Sequence, residues 1–454
     1  MNPKRTAIAL ALICSTGLPL TGAQAQLINA EPITGALENP VQNAQRELAP
    51  IAEPARRAAL AAEAAAREAA LDPIERSLGN PLAALPDALP ILNAQGDMVL
   101  QEVITDDGWR AIAGEWLLWL TGEELNTLNQ PGITLISATP MPALGKQLVR
   151  FRVTQSLDQR SALQALLPAH LHPMLDRNHT YDSQSGAEDI AASNRSIDRL
   201  ATPCPHPVKV GMVDTGIQVE HPAFSHRRIT RADFLPADLI APDAHGTAVA
   251  GVLVGEAEGL TPRLGAGHLF AAAAFYQRSD FSQGATTDSL IQALNWLSSQ
   301  EVRVINLSLA GPPNKLLGIA IELIHAQGIA LVAAVGNEGP AAPPLYPAAF
   351  EPVIGVTAVD ARQAIYRWAN QGHQVDFSAP GVSVITARAI NPQQSNPLGR
   401  ESGTSMAAPV IAAHLACLLA RGERLETALS TLRAQATDLG APGRDTVFGE
   451  GWLP

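Results

Sequence analysis

Four short segments of this chain carry side chains that could act on a substrate. Asp214 follows an apolar run, in Val213-Asp214-Thr215-Gly216. His245 opens His245-Gly246-Thr247-Ala248-Val249-Ala250-Gly251. Asn337 lies in Gly336-Asn337-Glu338-Gly339, and Ser405 in Gly403-Thr404-Ser405-Met406-Ala407-Ala408-Pro409. Asp, His and Ser in that chain order suit nucleophilic acyl transfer. A serine hydroxyl is a weak nucleophile until a base takes its proton, and the base needs a carboxylate to fix its tautomer. Asp214-Thr215-Gly216 alone could be half of an aspartic dyad, but the chain has no second such motif. Gly403-x-Ser405-x-Ala407 departs from the nucleophile elbow G-x-S-x-G at its fifth position, and the elbow's Ser…Asp…His order is absent.

The elements around these residues read as a frame able to gather them. From about residue 203 to 454, apolar strand candidates (208–213, 269–276, 302–307, 329–334, 353–358) alternate with helix candidates (247–254, 287–298, 316–326, 405–420). Such alternation predicts an α/β fold, a parallel doubly wound sheet with helices on both faces, whose sites form at the carboxyl ends of strands. Asp214, His245 and Ser405 fall where strands end or helices begin, so they can share one rim.

Upstream, residues 96–182 read as a small α+β unit in the order strand, helix, strand, strand, helix, strand. Thr121 and Glu124 fit a capping box. Residues 183–202 are polar and small, a linker open to cleavage. Residues 26–95 form an Ala/Pro-rich extension with few large apolar side chains. Residues 1–25 join Lys4 and Arg5 to a short apolar run and end in Ala23-Gln24-Ala25. That is the pattern of a secretory signal peptide. The run is well short of the roughly 20 residues a spanning helix needs. The chain is therefore expected to be exported, secreted or periplasmic, with no membrane span.

Composition narrows the field further. Acidic residues outnumber basic ones 43 to 31 among 454, a net charge of −12, which argues against nucleic acid as a partner. Aromatic residues at 4% are too few for base-stacking platforms. Three cysteines exclude a disulfide-rich scaffold; removal of the signal segment would leave Cys204 and Cys417.

The four motifs in this order resemble those of the subtilases, the subtilisin-like serine proteases. The resemblance runs from about Val208 to Leu453 and includes Ala436–Asp445 and Phe448-Gly-Glu-Gly451. It implies a serine endopeptidase in which Asp214 orients His245, His245 is the general base and acid, and Ser405 is the nucleophile. Asn337 and the Ser405 N–H would donate to the oxyanion. By the same resemblance, Ser308, Leu309, Ala310 and Gly311 would pair with substrate backbone, while Ala334, Val335, Gly336 and Leu345 would form the primary specificity pocket. Ala310, Val335 and Leu345 are bulkier than usual there, which predicts small or medium apolar P1 residues. The unit at 96–182 resembles the family propeptide, an intramolecular inhibitor, and so implies a zymogen cut near 182–203; a permanently attached accessory domain is the alternative. No cofactor is expected and no metal site is assigned, with calcium left open. In such a fold Cys204 and Cys417 both lie away from the active site, about 18 Å along the helix from Ser405 for Cys417. A disulfide is allowed there, as are two buried thiols. A catalytically silent fold used for binding is the competing reading, opposed by the intact set of four residues.

Overall fold

The computed structural model describes residues 86–183, 203–236, 238–279, 282–391 and 395–454. The signal segment 1–25, most of the extension and most of the linker read from the sequence lie outside the described residues. In chain order the strands of the N-terminal unit are β1 (Ala88–Leu92), β2 (Met98–Ile104), β3 (Arg110–Leu120), β4 (Ile133–Met141), β5 (Lys146–Val153) and β6 (Leu175–Ser183), with one short helix, α1 (Arg160–Leu166). The expected helix after Thr121 is a 3-10 helix, Gly122–Leu128, and Glu124 accepts from both the Thr121 N–H (2.9 Å) and its hydroxyl (2.7 Å).

The folded unit starts earlier than residue 96. β1 pairs antiparallel with β2 and lies at the end of the sheet. Pro90 lies within β1, where a proline on an edge strand removes no ladder bond the sheet needs.

The second region contributes β7 (Val208–Asp214), β8 (Arg228–Asp233), α2 (Ala244–Val254), β9 (Gly267–Ala273), β10 (Phe275–Ser279), β11 (Ser282–Thr286), α3 (Thr287–Ser299), β12 (Val304–Leu307), β13 (Leu309–Ala310) and α4 (Lys315–Ala326). After these come β14 (Ala330–Ala334), β15 (Val353–Val359), β16 (Phe377–Pro380), β17 (Val384–Ala387), β18 (Leu398–Glu401), α5 (Thr404–Ala420) and α6 (Leu425–Gln435). Seven strands form one parallel sheet in the order β16-β15-β14-β12-β7-β9-β8.

Both faces of that sheet are buried, which is why its strands read as continuous apolar runs. Val304, Val332, Ala334 and Val356 face a core shared with α2 and α5. Their neighbours Ile305, Leu331 and Ala333 face a core shared with α3 and α4.

The N-terminal unit packs against that second core by the same period-two rule. Along β3, Trp116, Leu118 and Leu120 fill the unit's own interior, whereas Leu117 and Trp119 join the core around α3 and α4. Polar contacts fix the docking. Asp176 accepts from the Lys315 N–H at 2.8 Å, and Asn178 from the Asp288 N–H at 3.1 Å. Each thereby supplies a partner to an N–H left unpaired at the start of a helix.

Cys204 and Cys417 form a disulfide that ties the segment before β7 to α5, across 213 positions of sequence. Closing so long a loop in the unfolded chain is worth about 5 kcal/mol in the chain-entropy limit. Cys417→Ser is expected to lower the thermal unfolding midpoint clearly, and reductant is expected to do the same to the wild type but not to the variant. An unchanged midpoint in the variant would show that the bond adds nothing to stability.

Candidate active site

Asp214 ends β7, one strand away from the middle of the parallel sheet, and His245 is the second residue of α2. Both side chains are buried, 1% and 5% exposed. Asp214 Oδ1 accepts from the Thr215 N–H at 2.7 Å and lies 2.7 Å from His245 Nδ1. A carboxylate on Nδ1 holds the neutral ring's proton there, which leaves Nε2 as the basic atom. Nε2 is buried and has no hydrogen-bond partner among the described residues. The ring lines a cavity of about 360 Å³ together with Gln218, Gln283, Arg388 and Glu401. Burial pulls the imidazole pKa down. The charge and hydrogen bond of Asp214, assisted by the charge of Glu401, outweigh it and raise the pKa above its ordinary value.

Ser405 is the second residue of α5 and is fully buried. The helix begins after Gly403, whose φ of 143° is a conformation that favours glycine. First-turn N–H groups lack partners within their helix, so this position favours developing negative charge. Pro409, four residues on, has no N–H to give the Ser405 carbonyl. The Ser308 hydroxyl donates to that carbonyl instead at 3.0 Å, and itself accepts from Asn306 Nδ2 at 2.9 Å. The sequence placed Ser308 on the substrate side; its side chain is a strut beneath Ser405.

Asn337 follows β14. Its Oδ1 accepts from both the N–H and the hydroxyl of Thr404, each at 3.0 Å. That pairing assigns Nδ2 as the donor end of the amide and fastens it to the residue beside Ser405. Thr404 was not singled out from the sequence, although it sits inside the Gly403–Pro409 motif.

Leu309 and Ala310 pair antiparallel with Ser183 and Asp182 of β6. The other edge of β6 pairs with β11, where Gly284, Ala285 and Thr286 face Asp182, Tyr181 and Thr180. The last strand of the N-terminal unit therefore runs between the two segments. Tyr181 packs against Gly311 and donates to the Pro312 carbonyl at 3.0 Å. Gly311 instead exchanges backbone bonds with Tyr346.

Of the residues assigned to a specificity pocket, Leu345 lies against Gly336, and Ala334, Val335 and Leu345 are all buried. Val335 belongs to the core beside α3 and α4. Among the described residues, no group of three or more His, Cys, Asp or Glu could hold a metal ion, and no helix is long and apolar enough to cross a membrane.

Residues 206–451 match the subtilase family. Over 252 residues the chain is 32% identical to the minor extracellular protease Epr of Bacillus subtilis (strain 168), covering 54% of this chain and 37% of that relative. It is 32% identical to subtilisin DY of Bacillus licheniformis over 241 residues, which is 51% of this chain and 85% of that protein. The chain thus spans little more than a third of the first relative and most of the second. A solved structure of the prenylagaramide maturation protease PagA is similar with a TM-score of 0.46 and 23% identity, covering 54% of this chain and 90% of that one.

The raised His245 pKa gives a direct test. Followed by NMR of the imidazole in Ser405→Ala, His245 should stay protonated to a pH above the ordinary imidazole midpoint. Glu401→Gln removes one of the raising charges and should move the midpoint down. A midpoint at or below the ordinary value would show that burial dominates.

Proposed function

The chain belongs to the subtilase family, and from that premise we propose that it is an exported serine endopeptidase made in a self-inhibited form. The buried Asp214–His245 pair, with Nε2 unpartnered beside a cavity, is the observation that carries the chemistry.

In this reading the Ser405 hydroxyl attacks the scissile carbonyl as its proton passes to His245 Nε2. Asp214 holds the ring's tautomer and stabilises the imidazolium that forms. The carbonyl oxygen becomes an oxyanion, which receives hydrogen bonds from Asn337 Nδ2 and the Ser405 N–H. The imidazolium returns the proton to the leaving amine, and an acyl-enzyme remains. Water repeats the cycle, with His245 again as base, and releases the acid.

Two supports bear on the oxyanion donor and the nucleophile. The Thr404 bonds hold Asn337 beside Ser405. The Ser308 bond replaces the helix contact that Pro409 cannot make. The primary pocket would take small or medium apolar side chains, since Leu345 is pressed against Gly336.

Latency is supported by β6. It fills the two strand edges, β11 and β13, on which an extended peptide would pair. The N-terminal unit is then an intramolecular inhibitor, released after cleavage between residues 183 and 202. Export rests on the charged start, short apolar run and Ala23-Gln24-Ala25 of the sequence.

Protein expressed from residue 26 onward should give a shortened band that reacts with a fluorophosphonate. Ser405→Ala should stay full length and unlabelled. A full-length wild type that never labels would overturn the reading. Asn337→Leu should still fold, with kcat reduced on the order of 10²–10³-fold. The acid limb of kcat/KM should lie above the ordinary imidazole pKa, because only neutral His245 can accept the proton and its pKa is raised. A profile already flat below that value would show that the His245 pKa is not raised in the processed enzyme.

A further inference from the structure

Arg278 has no part in the chemistry above, yet its side chain is only 1% exposed. It lies on β10, in the hairpin that leads to β11. Its Nε donates to Glu102 Oε1 at 2.6 Å, and the Tyr276 hydroxyl donates to the same oxygen at 2.6 Å. Its Nη1 donates to the Asp182 carboxylate and, at 3.0 Å, to the Gln283 carbonyl. Burial alone would lower the guanidinium pKa, but the Asp182 and Glu102 charges outweigh it, so Arg278 stays cationic.

The guanidinium has a place built for it. Gly284 stands opposite Asp182 in the β11–β6 ladder, and a Cβ there would lie 2.6 Å from Arg278 Nε. A side chain at position 284 would expel it. Arg278 thus reaches under β11 to the one strand position that faces both Gly284 and Ala310.

Both carboxylates come from the N-terminal unit, Glu102 from β2 and Asp182 from β6. When that unit leaves, the guanidinium loses both together. The Gln283 carbonyl stays with β10 and β11 as one acceptor. A substrate strand taking the track of β6 would carry its own side chain to the Asp182 position. A neutral side chain there leaves the guanidinium without a counter-charge, whereas a carboxylate restores a charge-assisted pair.

We propose that Arg278 is a specificity-determining residue that selects substrates with Asp or Glu at the position opposite Ala310, and that Asp182 occupies this subsite in the latent chain. The inference rests on the peptidase reading and adds an acidic requirement upstream of the scissile bond to it.

The test uses the self-processed full chain and a positional-scanning library of internally quenched peptides, followed by a matched pair with Asp or Asn at the selected position. Wild type should favour the Asp peptide by about 10- to 100-fold in kcat/KM, the range expected of a hydrogen bond to a charged group. In Arg278→Gln that ratio should fall towards one. Arg278→Lys keeps the charge but not the fork, and should retain a reduced ratio. Arg278→Glu should turn the preference to Lys or Arg. Fluorophosphonate labelling of each variant reports whether its site is intact. A wild type that labels but selects no acidic residue overturns the proposal and leaves the peptidase reading standing. Selection that survives in a labelled Arg278→Gln, or that is undiminished in Arg278→Lys, overturns it as well and would make Arg278 only a clamp on the N-terminal unit. A wild type that does not label overturns the peptidase reading, and this proposal with it.

Discussion

Two short stretches of backbone, in β11 and β13, are edges that do not pair with each other. Their N–H and C=O groups need a third strand lying between them, and β6 is that strand in this structure. An unpaired edge is a template for any extended chain. Here the chain supplies its own occupant, and the rest of the N-terminal unit is built to keep it in place. Leu117 and Trp119 fill the groove over α3 and α4, and Asp176 and Asn178 occupy the helix starts. The β1–β2 hairpin adds Ile91 and Leu100 against Tyr276, and sets Glu102 on Arg278.

The four residues proposed to act depend on a different constraint, the carboxyl edge of the parallel sheet. β7 delivers Asp214, and the turn after β14 delivers Asn337. Helix starts deliver His245 and Ser405. Each is then held by a neighbour that does no chemistry of its own. Thr215 holds Asp214, Thr404 holds Asn337, and Ser308 holds the carbonyl of Ser405. Burial strengthens these contacts, because little water competes for them.

What the sequence revealed follows from how local each feature is. The four motifs were legible because each is a short segment whose backbone needs, a strand end or a helix start with glycine beside it, are written within a few residues. Five of the seven strands of the parallel sheet were legible because burial on both faces makes them continuous apolar runs; β16 (Phe377–Pro380), at one edge, was missed because it is only four residues long and ends in proline. β8 was missed because its sequence, Arg228-Ile-Thr-Arg-Ala-Asp233, is largely polar, as suits the outermost strand of its sheet. β10 was fused with β9 into one run because only Ala274 separates them. β1 was hidden by Pro90, in the middle of its five residues. Arg278 could not have been found at all. Its partners, Glu102 and Asp182, stand 176 and 96 positions away in sequence, and nothing around Arg278 announces either. Val335 and Leu345, read as pocket residues, are both buried. Whether a side chain lines a cavity or fills a core depends on packing from α3 and α4, which periodicity along one strand does not report.

The disulfide has a topological consequence. Asp214, His245, Asn337 and Ser405 all lie between Cys204 and Cys417. A single backbone cut anywhere in that interval leaves two pieces that remain one covalent molecule. A peptidase is exposed to cutting by its own kind, and a nick in that interval would not let α5 drift away from β7. Damage of that sort would be silent on a native separation and visible only after reduction. The bond thus keeps the four candidate residues on one covalent molecule after a single cut between Cys204 and Cys417.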